Sequence, residues 1–113
     1  NHAQPHPRNY GTFPRVLGLY VRKLNVISLV EAIRKMTSLP ASILGLSNRG
    51  QIKKGFWADL VIFDQSKIID NATWKNPHQY PSGISWVLVN GKIAINNGKY
   101  TDSLPGKILK HTL

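Results

Sequence analysis

Apolar side chains recur at helical spacing in the first part of the chain and in unbroken or alternating runs further on. Val16, Leu17, Tyr20, Val21 and Leu24 fall on one stripe, with Arg15, Arg22 and Lys23 turned away, which predicts an amphipathic helix over about 13–24. Thr12 is suited to cap it, and Pro14 is tolerated in its first turn because the N–H that proline lacks would have no partner there. Ser28 and Glu31 form a Ser-x-x-Glu capping box, with Ile27 and Ala32 as the accompanying staple, and Leu29, Ala32, Ile33 and Met36 continue as the stripe of a second helix. That helix is expected to run to about Leu39 and to stop before Pro40, which restricts the residue preceding it and donates no bond into the turn. Pro40–Gly45 reads as one further helical turn ended by glycine.

After Gly45 the pattern changes to that of strands. Gly50 and Gly55 flank Gln51–Lys54, and Ala58–Phe63 is a near-continuous apolar run of the kind buried on both faces. Ser85–Val89 and Lys92–Ile95 are joined at Asn90-Gly91, a dipeptide that tolerates the positive φ angles of a type I′ hairpin turn. Residues 1–11 and 64–83 read as loop, with Lys67–Ile69 as a candidate short strand, and the polar tail from Thr101 is expected to drape over the surface. The aromatic residues Phe56, Trp57, Phe63, Trp74 and Trp86 are assigned to the core rather than to base stacking. Two amphipathic helices and three or four strands do not close a core of their own, so the helix stripes call for a partner surface.

Composition bounds the answer further. At 113 residues the chain holds one modest domain, far short of the roughly 250 residues of a (β/α)₈ barrel. An apolar share of 42% suits a globular domain. No apolar run reaches the roughly 18 residues of a membrane span, and no signal peptide is evident. Cysteine is absent, which rules out thiolate metal sites and disulfides in this sequence and is compatible with a cytoplasmic origin. The chain does not begin with methionine, which suggests a cut piece. Asn71-Ala72-Thr73 matches a glycosylation sequon, read here as chance. Fifteen Lys and Arg against five Asp and Glu give a net charge of +10, which raises an alternative: a stand-alone basic module that binds nucleic acid or an acidic protein. The cations come as singles and pairs, such as Arg22-Lys23, Arg34-Lys35 and Lys53-Lys54, without a dense run or interleaved aromatics, which argues against nucleic acid as a partner.

The string Gly50-Gln51-Ile52-Lys53-Lys54-Gly55-Phe56-Trp57-Ala58-Asp59-Leu60-Val61-Ile62-Phe63-Asp64, followed by Val89-Asn90-Gly91-Lys92 and a closing Asn97-Gly98, resembles the end of metal-dependent amidohydrolases. His6-Pro7-Arg8-Asn9-Tyr10-Gly11-Thr12-Phe13-Pro14-Arg15, with Glu31–Ala41 and Leu44-Gly45-Leu46, narrows the resemblance to the N-acyl-D-amino-acid deacylase branch, over nearly the whole chain from His6 to about Tyr100. This resemblance implies an α+β fold: the final helices of a (β/α)₈ barrel in residues 1–46, then strands of a small β-sandwich with its hairpin in 47–113. It implies zinc in the intact enzyme, no cofactor held by this chain, and the rest of the barrel as partner. It also implies hydrolysis of small-molecule N-acyl-D-amino acids, with zinc-binding histidines and a water-activating aspartate upstream of Asn1. The arginine of the His-Pro-Arg motif, Arg8, corresponds to the residue that binds the substrate carboxylate, a task suited to a planar, permanently charged guanidinium.

No catalytic set is legible in the chain itself. His2 and His6 are four apart, a spacing that brings ligands together only on a helix, and Pro5 and Pro7 argue against one. His78 and His111 read as surface residues, and Asp59 and Asp64 as capping and turn residues. Alone, the chain is therefore expected to be structural and catalytically silent, and to self-associate through its uncovered helix stripes. Light scattering on the isolated chain tests this: species larger than a monomer are expected, and a clean monomer with well-dispersed amide spectra contradicts it.

Overall fold

Where the chain can approach itself closely is set by glycine, and Gly11 and Gly18 fix the arrangement of the first helical segment. The structure, a computed structural model, describes residues 4–111. Helix α1 spans Arg8–Arg15 and passes directly into a π-helical segment, Val16–Lys23. A Cβ on Gly11 would lie 2.6 Å from Cβ of Asp70, and one on Gly18 would lie 2.5 Å from the carbonyl oxygen of Ile68. The helical segment thus rests directly on residues 68–70, with Leu17, Val21 and Ile68 buried there. Arg22 ties the far end down, its guanidinium donating to the carbonyls of Gln65 at 2.9 Å and Ile68 at 2.6 Å.

The helix starts earlier than the sequence pattern predicts. Pro7 adopts helical angles ahead of Arg8, so the residues expected to be loop up to Gly11 include the first turn of α1. Thr12 does not cap the helix; it lies inside it and its hydroxyl donates to the carbonyl of Arg8 at 2.7 Å. Pro14 also lies inside the helix, where its missing N–H leaves the Tyr10 carbonyl without its usual donor. Just beyond it the bonding widens to π spacing, as in the 2.8 Å bond from the Leu24 N–H to the Leu19 carbonyl.

Helix α2 covers Leu29–Met36, with the Ser28 hydroxyl accepting the N–H of Glu31 at 3.2 Å as the capping box requires. It ends at Met36 rather than Leu39, and the reason is steric: Met36 is the residue four before Pro40, whose ring crowds that carbonyl and offers it no N–H. Pro40 instead sits in the first turn of helix α3, Ser38–Ile43. Gly45, at φ 70°, closes α3 in a Schellman motif, with the Leu46 N–H on the Ala41 carbonyl at 2.8 Å and its own N–H on Ser42 at 3.2 Å.

Four strands, β1 Leu60–Phe63, β2 Ile84–Val89, β3 Lys92–Asn96 and β4 Lys99–Tyr100, form one sheet in sequence order. β2–β3 and β3–β4 are antiparallel. The Gly91 N–H bonds to the Ala58 carbonyl and the Asp64 N–H to the Gly83 carbonyl, so β1 runs opposite to β2 as well. Both tight turns are Asn-Gly pairs at positive φ: Asn90 at 50° and Gly91 at 77°, then Asn97 at 49° and Gly98 at 79°. The register between β2 and β3 slips by one residue, leaving Ala94 as a bulge whose carbonyl accepts the N–H of Thr101 at 3.0 Å. Lys67–Ile69 yields no full strand, only an isolated antiparallel bridge between Ile69 and Ser82.

The chain divides into two compact units that interleave along the sequence. One takes the residues through Ala32 together with Phe63–Ile84; the other takes Ile33–Ile62 together with the residues from Ser85 onward. In the first, Leu17, Val21, Ala32, Ile68 and Ala72 are buried; in the second, Ala41 is. Two expectations about the core fail. Val61 and Ile62 of β1 are more than half exposed, so this strand is not covered on both faces, and Trp57 and Trp74 lie exposed instead of filling the core. Val30, Ile43, Leu44 and Ile52 are also exposed. No helix among the described residues is long and apolar enough to cross a membrane.

In the second unit the hairpin turn is locked by its asparagine. The Asn90 side chain accepts from Arg49 at 2.7 Å and donates to the Pro105 carbonyl at 2.8 Å, while its N–H donates to Asp59 at 2.8 Å; Asp59 also pairs with Arg49. Asp64, in the first unit, has the turn role expected of it, its Oδ1 accepting both the N–H of Ser66 at 2.8 Å and the Ser66 hydroxyl at 2.6 Å.

Two measurements test these features. Gly18→Ala forces a Cβ against the Ile68 carbonyl and should lower stability by about 1–3 kcal/mol in chemical unfolding, while Gly106→Ala, in open space, should leave it unchanged. The Ser66 bonds, then the Lys67 charge, hold the Asp64 carboxyl below its ordinary value of 3.8. Its contribution to folding is therefore complete above that value and lost as pH falls through the lowered one. NMR titration should find the Asp64 midpoint below that of an unfolded aspartate, and Ser66→Ala should bring it back up.

Candidate functional site

Arg8 opens α1, and its side chain lines a cleft of about 390 Å³ in the first unit, together with His6, Thr12, Arg15, Asp70 and Trp74. Gly11 forms part of the floor, and its lack of a side chain lets the Asp70 segment close in from the other side. Of the two arginines in the cleft, Arg15 is committed: Nη1 donates to Asp70 Oδ2 at 3.1 Å, and the side chain of Asp70 is only 9% exposed. The hydrogen bond to Asp70, reinforced by its charge, holds Arg15 more firmly in the protonated form. Arg8 is exposed and, among the described residues, has no acid paired with its guanidinium. Permanent positive charge without an internal partner is what anchoring an anionic ligand requires.

His6 and Trp74 frame the entrance. The ring of His6 lies edge-on to Trp74, with centroids 4.4 Å apart and planes at 69°, and its Nδ1 accepts the N–H of Arg8 at 3.0 Å. Beyond the cleft, the Tyr10 hydroxyl lies 2.8 Å from His78 Nδ1. His78 is exposed, as expected for a surface residue, but it is not solitary. His111 lies against Gly45 in the second unit, its Nε2 2.7 Å from where a Cβ would stand. His2 lies outside the described residues, and so does any pairing of it with His6.

A second cleft, of about 250 Å³ in the other unit, is walled by Trp57, with the guanidinium of Arg49 5.1 Å and the amine of Lys107 5.4 Å from its ring centre. Arg49 is held there by Asp59 and Asn90 and serves the hairpin.

Among the described residues no three His, Asp or Glu side chains converge where they could hold a metal ion. Arg8 offers the larger cleft an exposed positive charge that no acid among the described residues takes up. The sequence motif singled out Arg8 alone. Asp70 and Trp74 are brought to it by folding across more than fifty residues, with no local pattern to mark them; the only hint of His6 is its place in the His-Pro-Arg string.

The Amidohydrolase family model matches residues 1–95. The chain is 46% identical over 110 residues to N-acyl-D-glutamate deacylase of Alcaligenes xylosoxydans xylosoxydans, covering 97% of this chain and 22% of that protein. It is similar to a crystal structure of D-aminoacylase, with a TM-score of 0.85 at 45% identity over 88% of this chain and 21% of that one. N-acyl-D-glutamate deacylase from Bordetella bronchiseptica, complexed with zinc and a phosphonate inhibitor that mimics the reaction's tetrahedral intermediate, gives 0.80 at 47% identity over 81% and 19%. The chain thus spans about a fifth of the length of the relatives it matches. By the family match over most of its length, this chain belongs to the amidohydrolase family.

Proposed function

We propose that the chain is the carboxy-terminal part of an enzyme that hydrolyses N-acyl-D-amino acids to a carboxylate and a D-amino acid. The observation that carries this reading is the similarity, at 43–46% identity, to three deacylases of acylated D-amino acids over almost the whole chain. In this reading residues 1–46 finish the catalytic barrel and 47–113 contribute strands to a small β-sandwich. Zinc belongs to the intact enzyme, and in this reading its ligands and the bond-breaking step are assigned to the barrel upstream of Asn1. The exposed apolar residues Val30, Ile43, Leu44 and Ile52 then meet the rest of the enzyme.

Arg8 is the one residue here assigned to the substrate, as the anchor of its α-carboxylate. Its place in the larger cleft, exposed and without an acid partner among the described residues, supports the assignment. A fork of parallel N–H donors holds a planar carboxylate at both oxygens, which an ammonium cannot reproduce. Of the fifteen basic side chains, Arg15 and Arg49 pair with internal carboxylates, and Arg22 donates to carbonyls.

Arg8→Lys in the full-length enzyme should lower kcat/KM for N-acyl-D-amino acids by about 10- to 100-fold, the loss of one bidentate charged contact. Release of the free D-amino acid, followed with a D-amino acid oxidase coupled assay, measures it. Unchanged kinetics would remove Arg8 from the site, and no hydrolysis of any acylated D-amino acid by the wild-type enzyme would remove the activity itself.

A further inference from the structure

His6 has a geometry that its neighbours' roles do not explain. Its Nδ1 accepts the backbone N–H of Arg8 at 3.0 Å, and its carbonyl accepts the N–H of Asn9 at 3.0 Å. A backbone N–H can only donate, so Nδ1 is the bare nitrogen of the ring and the proton sits on Nε2. Both acceptors of one residue therefore serve the opening turn of α1, whose first N–H groups have no partner within the helix. On its other side the ring stands edge-on against Trp74, and His6, Trp74 and Arg8 all line the same cleft.

We propose that His6 is a positioning residue for Arg8: its imidazole fixes the turn from which the Arg8 side chain departs and so sets where the guanidinium meets the substrate carboxylate. The inference rests on the reading of Arg8 as the carboxylate anchor. A side-chain acceptor reaching the N–H two residues on is the arrangement of an Asx turn, which asparagine makes with its carbonyl oxygen. Histidine makes it here with a flat ring that Trp74 can brace. A long arginine side chain multiplies any slack at its Cα, so an anchor that must meet two oxygens at once depends on a fixed starting point.

The two parts of the His6 side chain can be separated. His6→Phe keeps an aromatic edge for Trp74 and removes the acceptor; His6→Asn keeps an acceptor and removes the ring. Steady-state kinetics of the full-length enzyme with an N-acyl-D-amino acid should show KM raised about 10-fold in His6→Phe with kcat changed less than about 2-fold, and most of that loss returned in His6→Asn. On an Arg8→Lys background, His6→Phe should add almost nothing, since the contact it supports is already gone.

An unchanged His6→Phe, a fall in kcat at constant KM, an equal loss in His6→Phe and His6→Asn, or full additivity with Arg8→Lys each overturns the inference, because each describes a residue that acts without Arg8. If His6→Phe does not accumulate as folded protein, His6→Gln replaces it, since its amide oxygen is carried one carbon further out and misses the Arg8 N–H. Failure of the underlying reading looks different: Arg8→Lys itself is then kinetically silent, and the inference falls with it. Impaired Arg8→Lys beside unaffected His6→Phe removes this inference alone.

Discussion

The cleft depends on how closely a helix can lie on a stretch of irregular chain. At Gly11 and Gly18 the helical backbone comes so near residues 68–70 that even one added carbon would meet Asp70 or the Ile68 carbonyl at 2.5–2.6 Å. This approach brings the otherwise distant Asp70 under Arg15, and their pairing removes one of the cleft's two guanidinium groups from availability. Arg8, about two turns earlier on the same helix, is then the guanidinium of the cleft without an acid partner among the described residues. The contact is steric in origin and electrostatic in its result.

The second unit solves a related problem with hydrogen bonds instead of small residues. Asn90 occupies a left-handed turn position that asparagine tolerates well, and the same side chain reaches Arg49 and the Pro105 carbonyl. Asp59 receives both the Asn90 N–H and the Arg49 guanidinium, so the entry to β1, the hairpin and the tail share one polar junction. An exchange of Asn90 for glycine would keep the turn angles and lose the junction.

Local chemistry was legible in the sequence wherever a signal and its consequence lay within a few residues. The Ser28 cap, the glycine end of α3 at Gly45 and the Asn90-Gly91 hairpin are of this kind. The start of α1 was hidden because Pro5 and Pro7 read as loop, although Pro7 has helical angles immediately ahead of Arg8. Pro40 broke the chain as expected, but its effect lands four residues upstream at Met36, where the lost donor was needed. Trp57 and Trp74 misled because their size predicts burial, while each forms a cleft wall with its ring against polar neighbours, Arg49 and Lys107 for Trp57 and His6 for Trp74. The cleft followed the same rule: Arg8 was marked by its motif, whereas the Arg15–Asp70 pair, 55 residues apart, has no one-dimensional trace.

The two margins of the sheet are unlike. β4 is a two-residue margin that begins with a lysine, too short and too charged to template another strand. β1, at the opposite margin, is the apolar run Leu60-Val61-Ile62-Phe63, and among the described residues it has a neighbour on one side only. The sheet is therefore directional: further strands can be accepted beside β1 and are discouraged beside β4. Any chain segment that enlarges it has its address written at Leu60–Phe63, and so does any unwanted strand-to-strand polymerisation when that margin is left bare.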